Sequence, residues 1–330
     1  MQRIGVIGAG AWGTALAQVL AAAGREVTLW AREDSVAAGI EAERENKVFL
    51  PGIALSDRLN ASTDMAAVAT AELVLLVAPA QYLGKVAAAL AEHLTPAVPL
   101  VICAKGMERG SLKLMTEVVA EAAPRHPLAV LSGPTFAIEV ARGLPTAVTL
   151  AIEDTDLGET IAQAIGQPHF RPYLSDDLVG AQIGGAIKNV IAIACGIVEG
   201  RGLGDNARAA LMTRGLAEML RFGRTKGAKP ETLMGLSGLG DLSLTCNGRQ
   251  SRNMSLGMAL GEGRGIQEIM GKRHSVAEGV ATAAAITQAA EVLAIELPIA
   301  RAVDRICNMA GDIEAEIGAL LARPFTREDA

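Results

Sequence analysis

A doubly wound α/β domain on a parallel sheet, followed by an all-helical domain, is the architecture expected of this chain. Three features point to it. Short aliphatic runs alternate with helix-like segments up to about residue 175, a glycine-rich turn joins the first run to the first helix, and no strand-like run follows Leu178.

Arg3–Ile7 reads as an apolar strand, Gly8-Ala9-Gly10-Ala11-Trp12-Gly13 as a turn, and the Ala-rich stretch to about Ala23 as a helix stopped by Gly24. Glu26–Trp30 reads as a second strand and completes a βαβ unit. Further strands are expected at residues 73–78, 100–104, 128–131 and 147–152, each separated from the next by a segment of helical composition. Such alternation produces a parallel sheet with helices on both faces. Beyond Leu178, helix-like segments alternate with Gly-rich loops at residues 200–204 and 235–240. The expected division is therefore 1–176 and 177–330, with the join near residues 175–177. No internal repeat, Gly/Ser linker or low-complexity tract separates the halves, which predicts two domains packed firmly around a ligand-binding cleft.

Composition narrows the function. With 330 residues, 50% hydrophobic and 20% charged, the chain can bury a large core and is not intrinsically disordered. Thirty Lys plus Arg against 36 Asp plus Glu leave a net charge of −6 without a long run of like charges. Two Trp, two Tyr and five Phe are too few for base-stacking platforms, so nucleic acid is not an expected partner. Cys103, Cys195, Cys246 and Cys307 form no C-x-x-C pair, so neither a metal site nor a disulfide framework is expected, and a reducing cytoplasm is the expected compartment. Gly5, Gly8, Gly10 and Gly13 break the apolar N-terminus, which therefore reads as neither signal peptide nor membrane segment. The protein is expected to be soluble and unprocessed.

Gly8, Gly10 and Gly13 match G-x-G-x-x-G, in which the glycines provide a tight turn, backbone approach to a pyrophosphate, and close helix-to-strand packing. The helix N-terminus then offers free N–H groups and its positive dipole end to the phosphates. Following a strand and opening a helix inside a βαβ unit, the pattern predicts a Rossmann-type dinucleotide site. Past the second strand the chain reads Trp30-Ala31-Arg32, and the Arg32 fork suits a 2′-phosphate, which favours NADP(H). Glu33 opposes that preference by offering Arg32 a surface ion pair, so NAD(H) stays open.

Lys188 is the only charged residue in AQIGGAIKNVIAIACGIV, residues 181–198. A helix this apolar is buried nearly all round, and lysine is rarely buried there unless paired or functional; a stem snorkelling to an edge is the structural alternative. Beside a nicotinamide, a desolvated lysine exchanges protons near neutral pH and stabilises the oxyanion formed by hydride transfer to a carbonyl. Gly180, Gly184 and Gly185 leave room on this helix for substrate or another backbone. The run Gly248-Arg249-Gln250-Ser251-Arg252-Asn253 has the donors of a phosphate site or of a solvated loop. Asp241, after a Gly-rich stretch, suits orienting hydroxyls or capping a helix.

Several segments resemble the bacterial NAD(P)-dependent glycerol-3-phosphate dehydrogenase family over nearly the whole chain. They are GAGAWGTALA from Gly8, CAKG from Cys103, SGPTFA from Ser132, GGAIKNVIAIACGIVEGRGLGDNARAAL from Gly184, GLGDLSLTC from Gly238, GRQSRN from Gly248 and VAEGVATA from Val276. The resemblance implies a helical domain of the 6-phosphogluconate dehydrogenase C-terminal-like type. It also implies reversible reduction of dihydroxyacetone phosphate to sn-glycerol 3-phosphate with NADP(H) or NAD(H), which feeds glycerophospholipid synthesis, in a cytoplasmic homodimer without membrane insertion.

By the same resemblance Lys188 is the proton acceptor in the oxidation direction. Lys105, Gly133 and Thr135 touch the substrate, and Asp241, Ser251, Arg252 and Asn253 complete its pocket. Trp12, Arg32, Lys105, Ala137, Arg252, Val276 and Glu278 line the cofactor beside Gly8, Gly10, Ala11, Gly13 and Glu33. Ala11 stands where the family often has Ser and removes one hydrogen bond to the pyrophosphate; Glu33 replaces a basic or His residue and argues against strict NADP(H) use. Two other readings of the residues stand beside this one. The first is another two-domain Rossmann dehydrogenase for a 3-hydroxy acid, sugar acid or nucleotide sugar, the last needing Cys195 or Cys246 as nucleophile. The second is a nonenzymatic NADP(H) sensor, in which a buried lysine has no purpose.

Overall fold

The computed structural model describes residues 1–271, 278–325 and 327. In chain order the first half comprises β1 (Arg3–Ile7), α1 (Ala11–Ala22), β2 (Glu26–Trp30), α2 (Asp34–Glu43), β3 (Leu59–Ser62), β4 (Leu73–Leu76), α3 (Leu83–Ala91), β5 (Leu100–Ile102), α4 (Met115–Ala122), β6 (Leu128–Ser132), α5 (Ala137–Ala141), β7 (Thr146–Ala151), α6 (Thr155–Ile165) and β8 (Phe170–Ser175). These strands form one sheet in the order β3-β2-β1-β4-β5-β6-β7-β8. Its central strands are aliphatic along their whole length and covered on both faces, so Val6, Leu75, Val101 and Leu76 have no exposed surface. The order reverses between β1 and β4, which opens a crevice at the carboxyl ends of those strands, where doubly wound sheets bind ligands.

Three features depart from the expected parallel sheet. β3 and β8 were not foreseen, because each is an edge strand with a polar, broken pattern: Leu-Asn-Ala-Ser in one, Arg171 and Pro172 in the other. Pro172 removes a ladder donor, which an edge strand tolerates. β7 runs antiparallel to β6. The chain between them folds only the five-residue α5, too short to return along the sheet and begin a parallel strand. β7 and β8 are parallel to each other, joined through α6.

The second half contains α7 (Leu178–Gly200), α8 (Asp205–Thr225), α9 (Pro230–Leu233), α10 (Asp241–Asn247), α11 (Arg252–Gly261), α12 (Ile266–Gly271), α13 (Glu278–Val292), α14 (Pro298–Asn308) and α15 (Ile313–Leu321). No strand follows Ser175 among the described residues. α7 is the axis on which α8, α10, α11, α13 and α14 pack, and it is buried from Gly180 to Ile197. Asp177 caps it: one carboxylate oxygen accepts from Gly180 N (2.7 Å) and the other from Lys229 N (2.8 Å). The same helix meets the sheet, since a Cβ on Gly185 would lie 2.9 Å from Ser132 Oγ. Ala181 thus belongs to the core of the sheet, while Met107 and Leu114 reach back into the core of the helices.

α7 and α11 cross almost backbone to backbone. A Cβ on Gly257 would lie 2.0 Å from Ile193 O, and one on Gly196 2.2 Å from Met254 O. Gly200 and Gly261 repeat the contact one turn on. Helix propensity alone would favour alanine at such positions, so the sign of a substitution tells which effect wins. Gly257→Ala is expected to destabilise by ~1–3 kcal/mol or more through overpacking. Gly318→Ala in α15, where nothing lies within 4 Å of the added Cβ, is expected to stabilise by about 0.5–1 kcal/mol. Denaturant melts of the two variants measure both, and equal signs would dismiss the close crossing as a constraint.

Candidate active site

The turn after β1 is built to receive an anion. Gly8 has φ +119°, and a Cβ there would sit 3.0 Å from the Val77 carbonyl carbon. A Cβ on Gly13 would lie 1.8 Å from Gly8 O, whereas Gly10 faces open space with no atom within 4 Å of its missing Cβ. α1 begins without a side-chain cap or an acidic residue in its first turn. Its N–H groups and positive dipole end are therefore left for a ligand in the crevice, and a dinucleotide pyrophosphate fits that donor set. Ala11 and Trp12 form the first turn of α1, with Trp12 packed on the core of the sheet. Ala137 opens α5, which lies against α1.

Arg32 and Glu33 stand apart from this cluster, past the end of β2. The Arg32 guanidinium is 76% exposed and is held by the Glu33 carboxylate, with Nε 2.9 Å from Oε1. The surface pair weighed against a free 2′-phosphate fork is therefore present. An incoming 2′-phosphate competes with Glu33 for the guanidinium, and a ribose hydroxyl competes with Arg32 for the carboxylate.

Lys188 points into the join between the halves. It is 7% exposed, and its Nζ donates to Asp241 Oδ1 (2.6 Å) and Thr245 Oγ1 (2.8 Å). Asp241 opens α10 directly after a π-helical turn, Leu236–Gly240, and is wholly buried. Its second oxygen accepts from Lys105 Nζ (2.6 Å), which follows β5 and also donates to Gly133 O (3.1 Å). Thr135 Oγ1 donates to the same carbonyl (3.3 Å). Each ammonium has three hydrogens and uses two here, so each keeps one for a ligand. Burial pushes the Lys188 pKa down to about 8; the Asp241 carboxylate opposes the drop and the Lys105 charge adds to it.

Around this triad the structure gathers most of the other expected residues. Arg252 is exposed on the first turn of α11. Its charge acts on the Glu278 carboxylate, which burial pushes up in pKa and which accepts the backbone N–H of Ala80 beyond β4. Ser251 and Asn253 also make structural hydrogen bonds: Ser251 Oγ caps α11 by accepting from Met254 N (3.1 Å) and keeps its own hydrogen to donate. The Asn253 amide joins Asn189 Oδ1 (2.9 Å) to Gly279 N (3.2 Å). Asn253 thus ties α7, α11 and α13 together beside the cleft, with one Nδ2 hydrogen left over. Val276 lies outside the described residues. Thr245 and Asn189 were not foreseen, although Thr245 falls four residues after Asp241 on the same helix face and Asn189 is next to Lys188.

A glycine turn open to a pyrophosphate and a buried lysine at the sheet's carboxyl ends define a two-domain dinucleotide-dependent dehydrogenase. Comparison with known proteins narrows the class. The model of the NAD-dependent glycerol-3-phosphate dehydrogenase N-terminus matches residues 3–158 and that of the C-terminus residues 177–317. A glycerol-3-phosphate dehydrogenase [NAD(P)+] of Parvibaculum lavamentivorans is 58% identical over 99% of this chain and 98% of its own. That of Caulobacter vibrioides is 56% identical over 99% of each. The crystal structure of glycerol-3-phosphate dehydrogenase from Coxiella burnetii superposes with a TM-score of 0.94 at 39% identity, covering 98% of this chain and 99% of that one. The chain belongs to the NAD-dependent glycerol-3-phosphate dehydrogenase family.

The lowered pKa of Lys188 sets the expected pH dependence. Reducing a carbonyl needs the ammonium as proton donor, so kcat/KM for reduction falls as pH rises through about 8. Oxidation needs the free amine and rises through the same pH. Lys188→Ala is expected to lower turnover roughly 10²–10⁴-fold and to abolish that limb. Profiles flat in both directions would assign the proton to another group.

Proposed function

We propose that the protein catalyses the reversible NAD(P)H-dependent reduction of dihydroxyacetone phosphate to sn-glycerol 3-phosphate, supplying glycerophospholipid synthesis. The observation that carries this reading is the Lys105–Asp241–Lys188 triad, with Asp241 and Lys188 buried and Lys105 partly so, set where the sheet's carboxyl ends meet α7. In this reading residues 1–176 hold the dinucleotide, and residues 177–330 supply the acid and much of the substrate pocket.

The bound nicotinamide supplies a hydride to the carbonyl carbon of the substrate. The chain's own residues handle charge and protons. Lys188 Nζ hydrogen-bonds the carbonyl oxygen through its remaining hydrogen, stabilises the developing negative charge, and gives up the proton to form the alcohol. Asp241 and Thr245 hold the ammonium in place, and burial favours the neutral amine that remains. Lys105, Gly133, Thr135, Ser251, Arg252 and Asn253 bound the substrate pocket. Lys105 and Arg252 bring positive charge to the phosphate, which the overall charge of −6 would otherwise repel. Gly8, Gly10, Ala11, Trp12 and Gly13 hold the pyrophosphate end of the cofactor, with Ala137 and Glu278 along its length. The Arg32–Glu33 pair offers partners to a 2′-phosphate and to a free ribose hydroxyl, which fits use of both NADP(H) and NAD(H).

The enzyme in this reading is cytoplasmic and binds neither nucleic acid nor membrane. Its long apolar helix α7 is buried within the protein, and its four cysteines are free thiols. A homodimer is in keeping with the apolar side chains of Val292, Met309 and Leu321 exposed on the helical half.

The deciding experiment follows NADPH oxidation with dihydroxyacetone phosphate against unphosphorylated dihydroxyacetone. Turnover is expected with the phosphorylated ketone and little without the phosphate. Arg252→Ala is expected to raise the apparent KM for dihydroxyacetone phosphate about 10- to 100-fold, the loss of a charge-assisted contact. An equal loss with dihydroxyacetone would remove Arg252 from the phosphate site, and turnover of a 3-hydroxy acid in preference to glycerol 3-phosphate would overturn the substrate assignment.

A further inference from the structure

The peptides of the turn after β1 are held unequally. Gly8 N–H is tied to Trp30 O (3.0 Å), and Gly10 O accepts from Thr14 N (2.9 Å), so the sheet secures one end and α1 the other. The Ala9–Gly10 peptide between them is in neither backbone ladder. Its carbonyl accepts a long hydrogen bond from Thr14 Oγ1 of α1 (3.4 Å) and a shorter one from Asn46, in the loop after α2, whose Nδ2 donates to Ala9 O (2.9 Å) and to Thr14 Oγ1 (2.8 Å), so that Asn46 holds the carbonyl both directly and through Thr14. Asn46 Oδ1 accepts from Phe49 N (3.1 Å), and the residue is only 2% exposed. Turned over, the amide would set Oδ1 against Ala9 O and its NH₂ against the Phe49 N–H, so these contacts define its orientation.

In a planar trans peptide the C=O and N–H point in opposite directions. With Ala9 O turned to Asn46, Gly10 N–H is aimed away from that loop, at the uncapped start of α1, where no atom lies within 4 Å of the missing Gly10 Cβ. A flipped peptide would present a carbonyl oxygen there and repel a phosphate. We propose that Asn46 is a positioning residue for the cofactor: it presets the Ala9–Gly10 peptide so that Gly10 N–H is offered to the dinucleotide pyrophosphate. The proposal rests on the dehydrogenase reading above. The loop that delivers Asn46 is itself anchored, with the Arg44 guanidinium on the Ser56 and Leu59 carbonyls and Ser56 N on Gln18 Oε1 (2.8 Å). Because Asn46 acts on the pyrophosphate end and Arg32 sits past β2, the effect is the same for NADH and NADPH.

The test titrates NADH and NADPH, by nicotinamide fluorescence, into wild type, Asn46→Ala and Asn46→Asp. Turnover at saturating cofactor and the melting temperature without ligand are measured alongside. Asn46→Ala is expected to raise Kd about tenfold for both dinucleotides by the same factor, with kcat within about twofold of wild type. Asn46→Asp keeps the shape and the acceptor for Phe49 N but sets a carboxylate against Ala9 O, and is expected to raise Kd further. A role in packing alone predicts the opposite order, with Asp nearer to wild type than Ala and Kd following the melting temperature. That order, or an unchanged Kd in either folded variant, overturns the proposal. Should Asn46→Ala fail to fold, Asn46→Asp against wild type decides it. Failure of the wild type itself to bind either dinucleotide overturns the dehydrogenase reading, and the proposal with it.

Discussion

The carboxylate of Asp241 has no exposed surface, yet it holds the ammonium groups of two lysines that reach it from opposite halves of the molecule. Burying a carboxylate alone costs several kcal/mol, and the cost is offset only when good ion-pair geometry accompanies it. Here both oxygens are matched at 2.6 Å, one by Lys105 and one by Lys188. The three charges sum to one positive charge, so the centre suits an anionic ligand while staying ion-paired without it. The same burial leaves Lys188 a cation that gives up its proton readily.

That triad keeps its geometry only if α7 does not move. The helix is capped by Asp177, its glycines admit the Ser237 backbone and Ser132 against its first turns, and α11 lies on its later turns at the distance only glycine allows. Asn189 and Asn253 then bridge α7 to α11 next to Lys188. A proton donor mounted on a packed helix is placed more closely than one on a loop, and Asn253, one of the residues expected at the substrate, takes part in this bracing.

At the glycine turn after β1, the sheet half supplies backbone rather than charged side chains. The absent Cβ atoms of Gly8 and Gly13 let the turn close, that of Gly10 leaves space at the N-terminus of α1, and Asn46 completes the turn from the loop after α2. The acid and the phosphate-binding backbone thus come from parts with different tolerances. One depends on desolvation and the other on the direction of peptide dipoles.

Much of this was legible along the chain. Glycine spacing, aliphatic strand runs and the solitary charge of Lys188 are local patterns, because a turn, a buried strand and a buried helix each impose their residue types within a few positions. The edge strands β3 and β8 were not legible, since a half-exposed strand need not be apolar, and the reversal of β7 depends on how short α5 is. Nor did any pattern join Lys105 and Lys188 to Asp241, or Asn46 to Ala9. Polar side chains choose partners by proximity, and proximity between residues separated by tens of positions is created only by tertiary packing: within the sheet half for Asn46 and Ala9, within the helical half for Lys188 and Asp241, and between the halves for Lys105 and Asp241.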